Sequence, residues 1–414
     1  MRSELTLMVT LTMSAAVPAG ALVIDNGLAP PNANNVIDAS DSLGVVDVAN
    51  AWWGAPTVVE LVDGGELITL RVYESSRLLV SGGTVLDRIN AYGLSGLSMS
   101  GGTALSMSLF DSAALEMVGG TVFTLDASGS PTLTMGGGTV SAQGTLGDSS
   151  TLAMSGGTYE RLAVFDSVTV TMSGGTVRDE LGANNSCRIG MTGGTVQNKL
   201  VLYDAAELAM GGGTVGQLLS ANGSSKVVMT DGTVENTIRL HGLSTLKMRG
   251  GAVWGLLSAN ESSNVAMTGG SAWNIEAYGS ATMTIRGGSV VPEPASVWPE
   301  VFAGDASKIQ IVGREFAIDG DSAPPGPIAA PSGRLTGTLE SGEPIAVQFC
   351  HNGCQAFYTG RIELIRPIPE PDATLLFAAA LIGLGAVRRS RASSLRLAAS
   401  RCGMAVVTSD GARP

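Results

Sequence analysis

Apolar and polar residues alternate along most of this chain, and the alternation restarts every 18 or 19 residues. A Gly-Gly-Thr position marks each restart, at Thr84, Thr103, Thr121, Thr139, Thr158, Thr176, Thr195, Thr214 and Thr233, then at Ala252, Ser271 and Ser289. Four residues before it stand Val80, Met99, Met117, Met135, Met154, Met172, Met191, Met210, Met229, Met248, Met267 and Ile285. Two residues earlier again the column is Leu, Val, Ile or Met throughout, from Leu78 to Met283. Apolar residues two apart face one side of a strand. After the Thr comes mostly Val, as in Val122 and Val177, and then a pair such as Leu181/Ala183 or Leu257/Ala259. Each period therefore holds three short strands.

A period near twenty, in which one unit cannot bury its own apolar face, predicts a solenoid. The expected fold is all-β: a parallel β-helix of about 13 coils, counting a degenerate one over Val58 to Ser76, winding right-handed. At roughly 4.8 Å per coil the stack would rise about 60 Å. Gly-Gly supplies positive φ at one corner. A second corner is rich in turn formers, such as Asp166-Ser167 and Asn184-Asn185-Ser186. Between the Thr and the next apolar residue the offset is four in short coils (Leu125, Leu162, Ile275) and five in long ones (Ile89, Leu181, Leu200, Ile238). That third corner absorbs the slack, and no coil carries a long insertion.

The flanks divide the rest. Residues 1–21 read as a signal peptide, with Arg2, an apolar run from Leu5 to Val17 and Ala19-Gly20-Ala21. Residues 22–56 are an N-terminal cap in which Trp52 and Trp53 cover the open end, with carbohydrate stacking as the rival role. Coils fill 57–290, and 291–366 form a C-terminal β cap with alternation in Ile345–Phe349 and Arg361–Ile365.

Composition narrows the chemistry. A formal charge of −12 argues against nucleic acid as a partner. The coil acids Asp87, Asp111, Asp166, Asp179, Glu180, Asp204 and Glu235 are scattered among corners, without the repeated carboxylate pair that sugar hydrolysis uses. His241 sits at a corner and reads as solvated. No catalytic residue, cofactor ligand or metal site is assigned, and the chain is expected not to be an enzyme. The calcium-binding nonapeptide of other solenoids is absent. Cys350 and Cys354 flank His351-Asn352-Gly353, which suits a small disulfide loop in an exported chain, against metal binding by the two thiols and His351. Cys187 lies within a coil and Cys402 in the tail. The Thr column leaves ice binding as one alternative and a solenoid carbohydrate-active enzyme as another.

The end of the chain is distinctive. Pro369-Glu370-Pro371 precedes an apolar segment over 373–387 and then Arg388-Arg389-Ser390-Arg391. This three-part order, over 367–391, resembles the PEP-CTERM sorting signal. The coils, with their Met-Ser-Gly-Gly-Thr-Val pattern, and the stretch Gly333-Arg334-Leu335-Thr336-Gly337-Thr338-Leu339 are similar to solenoid-bearing members of that group. The resemblance implies an exosortase-type processing enzyme and exopolysaccharide as partners. It also implies a short C-terminal transmembrane helix as membrane anchor, and release to the cell surface or extracellular matrix. Fifteen residues of helix reach about 23 Å, short of the ~30 Å hydrocarbon core, which suits a temporary anchor. The arginines would stay in the cytoplasm. Residues 392–414 follow as an atypical tail.

Overall fold

A computed structural model describes residues 22–25, 35–37, 42–49, 56–291, 299–351 and 359–367. The described residues up to Arg366 belong to one compact unit. The signal segment, Trp52, Trp53, Cys354 and the whole sorting signal (Pro369, Glu370, Pro371, the segment 373–387, Arg388, Arg389 and Arg391) lie outside the described residues.

The repeat folds as a parallel β-solenoid of about twelve turns, without helix among the described residues. In the first ladder, Arg77–Val80, Gly96–Met99, Ala114–Met117 and their successors stack in register, Leu97 over Leu115 over Leu133, and Met99 over Met117 over Met135. The second ladder aligns the Gly-Gly-Thr threonines, Thr84 beside Thr103 beside Thr121. The third aligns the Leu-x-Ala segments, for instance Leu181 with Leu200 and Ala183 with Leu202. In-register stacking follows because a one-residue slip would turn every buried column outward. Register breaks recur between the second and third ladders, at Val85/Arg88, Val140/Gly144 and Val253/Leu256, where the coil-length slack was expected.

Two sequence columns prove to be one device. The glycine just before each Thr position of the repeat, from Gly83 to Gly288, has φ between 71° and 94°. The tip of the methionine column reaches that glycine one coil later: a Cβ on Gly120 would lie 2.6 Å from Met99 Cε, and on Gly138 2.6 Å from Met117 Cε. The same meeting recurs as far as Met267 and Gly288. A long, flexible thioether fills the space that a missing side chain leaves. This explains why the column is Met and the corner is Gly.

The ladders outlast the sequence repeat at both ends. Asn35–Ile37 pairs with Val58–Leu61, and Ser42–Ala49 with Glu66–Val72, so described strands within 22–49 already belong to the stack. Beyond Val290, Val301–Ala303 and the first residues of Lys308–Ile318 continue the ladders, followed by the end of Pro344–His351 and by Arg361–Ile365. Position 290 ends the repeat in the sequence but not the parallel pairing. Antiparallel strands branch off between these steps, with Gly313–Ile318 against Leu335–Leu339 and Ser332–Thr338 against Pro344–Cys350.

Candidate binding surfaces

The turn-former corner is built on one left-handed residue per coil. Glu74, Asp111, Asp148, Asp166, Asn185, Asp204, Glu261 and Asp305 have φ between 49° and 63°, and glycines occupy the intervening coils. From Asp111 onward, an acid at this position serves the coil before it. Gly93 N–H donates to Asp111 Oδ2 (3.0 Å), Gly129 to Asp148 (2.7 Å), Asn185 to Asp204 (3.2 Å), Gly242 to Glu261 (2.8 Å) and Gly279 to Asp305 (3.0 Å). Asp166 accepts from the Asp148 amide at 3.4 Å and from Asn185 Nδ2 at 2.8 Å. Acids that looked scattered in the sequence thus form a column of stitches between coils. Asp148 and Asp166 do adjoin on successive coils, but both carboxylates are exposed and engaged by these donors.

The remaining sequence candidates have comparable local partners. Asp87 accepts from Thr69 Oγ1 at 3.3 Å and pairs with Arg88 at 3.1 Å. Asp179 accepts from Asn198 Nδ2 at 2.9 Å. Glu180 stands between Arg161 and Lys199 in the third ladder, an alternation of sign that favours pairing across strands. Glu235 differs, lying at the corner between the second and third ladders with only its backbone N–H bonded, to Val215 O, among the described residues. His241 Nδ1 is 3.9 Å from Glu261 Oε1 at the corner. On the flat face of the first ladder, Glu207 lies between Arg188 (3.5 Å) and Lys226 (2.9 Å), and the Lys226 hydrogen bond leads in drawing its carboxyl below the ordinary range.

Other features were not legible from spacing. Glu276 is held above its ordinary range by burial, partly offset by Tyr278 and Arg239. Tyr73, Tyr92 and Phe110 stack face to face along one corner, with centroids 5.2 and 4.9 Å apart. Each is the residue just before the left-handed position, so a column alignment exposes the stack, although a hydropathy pattern does not. The threonines of the second ladder form a single aligned column, in which Thr103 Oγ1 donates to Thr84 Oγ1 at 3.3 Å.

The cysteine region separates into two surroundings. Cys187 is a free thiol buried beneath the corner, and burial pushes its pKa up. Cys350 is disulfide-bonded. Next to it His351 is buried, its Nδ1 3.3 Å from Gly360 O, and burial pulls its pKa down against the backbone hydrogen bonds of Gly360 and Ala330. Among the described residues no three His, Cys, Asp or Glu side chains come together as a metal site, and no helix is long and apolar enough to cross a membrane.

Fold and surface together define a parallel β-solenoid with uniform coils and internally engaged corner acids. No protein family, curated protein or solved structure matches this chain.

Proposed function

We propose that this chain is an exported structural or adhesive component of the cell surface or extracellular matrix, sorted by its PEP-CTERM-like segment and associated with exopolysaccharide. The observation that carries this reading is the uniformity of the coils. Wide repetitive faces favour many weak contacts, whose sum through avidity replaces a deep pocket. The corner carboxylates support it further, because they are occupied in holding coil to coil. In this reading the coil winds right-handed, 291–366 closes its end, and 373–387 forms a temporary helix with Arg388, Arg389 and Arg391 retained in the cytoplasm. Glu370, between Pro369 and Pro371, belongs to the motif that an exosortase-type enzyme would read, and Cys350 pairs with Cys354.

Co-sedimentation of the purified protein with the producer's own exopolysaccharide tests the proposal. Saturable binding that survives moderate salt is the expected result. A fall in polymer size during incubation would replace it with the carbohydrate-active enzyme reading, and absence of both would sink the polysaccharide association.

A further inference from the structure

Cations near the end of the ladders divide into a paired set, Arg286, Lys308 and Arg361, and a set without an ion pair among the described residues, Arg314, Arg334 and Arg366. Arg286 meets Glu340 at 2.7 Å, Lys308 meets Glu363 at 2.6 Å, and Arg361 meets Glu363 at 3.4 Å. Arg314 and Arg366 differ: neither forms an ion pair among the described residues, and both line one cleft of about 390 Å³ with Glu315, Ser322, Ala323 and Pro325.

The backbone brings the two arginines there. Parallel pairing ends with Val312 opposite Ile365, so Arg366 follows the last paired residue and Arg314 lies two beyond Val312. The strand then changes partner, with Gly313 opposite Leu339 and Arg314 opposite Thr338, and its register breaks between Arg314 and Ala317. Glu315 sits in that break with φ 57°. Asp111, Asp148, Asp204, Glu261, Asp305 and Asp319 share the left-handed conformation, and each accepts a backbone amide hydrogen bond. Glu315, like Glu74, accepts none among the described residues. A bulge re-aims the side chains beside it, and strain that no internal bond offsets is characteristic of ligand clamps.

We propose that this cleft binds one carboxylate-bearing sugar residue of an acidic polysaccharide. The inference rests on the polysaccharide reading above and adds the site and the chemical class. Guanidinium forks match a carboxylate in two hydrogen bonds, which an ammonium does not. The cleft is of the size that small ligands use, and Ala323 and Pro325 offer apolar wall for a ring face. Ser322 and Glu315 supply polar groups for ring hydroxyls. An acidic polymer is repelled by most of a chain with net charge −12, so a local cationic clamp is where it would attach.

The test is calorimetric titration of the full-length protein with a trigalacturonate, and with a neutral trisaccharide of the same length. The uronate is expected to bind and the neutral sugar not to. Arg314→Gln and Arg366→Gln should each weaken binding at least about tenfold, the order expected for a lost charge-assisted pair. Arg314→Lys should fall between, and Arg188→Gln, on the flat face, should change nothing. Thermal unfolding of each variant confirms that it folds. No uronate binding by the unaltered protein, or binding by both Gln variants as tight as that of the unaltered protein, overturns the assignment, as does displacement of the uronate by equimolar inorganic phosphate. Co-sedimentation with the native polymer separates the two readings. If the double Gln variant still sediments with polymer, the cleft fails alone; if trigalacturonate binds and polymer does not, the matrix reading fails alone.

Discussion

Tyr159 lies so close over Gly144 of the preceding coil that a Cβ on Gly144 would stand 2.5 Å from Tyr159 Cε1. The two break their columns in opposite senses. Tyr159 occupies a position held by Val140 and Val177 in the neighbouring coils, and Gly144 one held by Leu125 and Leu162. One large side chain fills the space of one missing side chain. Tyr159→Val should therefore cost about 3 kcal/mol through the cavity it leaves, and Gly144→Leu about 1–3 kcal/mol through overpacking. The double variant should be more stable than the sum of the two losses by more than about 1 kcal/mol in denaturant melts. Strict additivity would show that the two columns do not compensate.

The same tyrosine makes a pH prediction. Burial raises its phenol pKa well above the ordinary value of 10.0. The folded state therefore keeps the proton after the unfolded state has lost it. Stability is fully present below about pH 10 and falls as pH rises further. Tyr159→Phe should flatten that alkaline decline, read as the dependence of melting temperature on pH between 9 and 11, roughly the range that brackets an ordinary phenol. An unchanged slope would place the alkaline sensitivity elsewhere.

The coupling of methionine and glycine columns separates two kinds of glycine. Gly157 has φ 73°, and a Cβ there would lie 2.6 Å from both Gly137 O and Met135 Cε. Gly320 has φ 93° with nothing within 4 Å. Gly320→Ala should cost only the left-handed penalty of about 1–2 kcal/mol. Gly157→Ala adds a backbone clash and should cost at least about 2 kcal/mol more, since cores tolerate overpacking poorly. Equal losses would refute the methionine–glycine contact as the reason for the Gly column.

Corner acids yield a third comparison. Asp148 is left-handed (φ 56°) and accepts the Gly129 amide at 2.7 Å. Asp148→Ala loses the acceptor and keeps the backbone strain, for a cost of about 1–2 kcal/mol. Asp148→Gly loses the same acceptor and relieves the strain, so it should be clearly milder. Hydrogen exchange at the Gly129 amide should quicken in both variants. If it does not, the carboxylate is not what protects that amide.

The sequence by itself determined the ladder. A period of 18 or 19 residues with apolar positions two apart allows one in-register stack, because any slip would expose the Leu and Met columns. The corners and the place of the length slack follow from the same alignment. Contacts between coils were not legible, since they join residues about one period apart whose chemical fit shows only when a coil lies on its neighbour. That is why Asp111, Asp166 and Asp204 looked scattered and prove to be stitches, and why Tyr159 and Gly144 explain each other only in space. The stack also runs past Val290, where Val301–Ala303 and Arg361–Ile365 keep the pairing after the Gly-Gly signal has gone. Backbone hydrogen bonds continue a ladder without any particular side chain, and only the tertiary structure records where that happens. The cleft of Arg314 and Arg366 is of the same kind: 51 residues of chain lie between the two arginines, and a change of strand partner brings them to one surface.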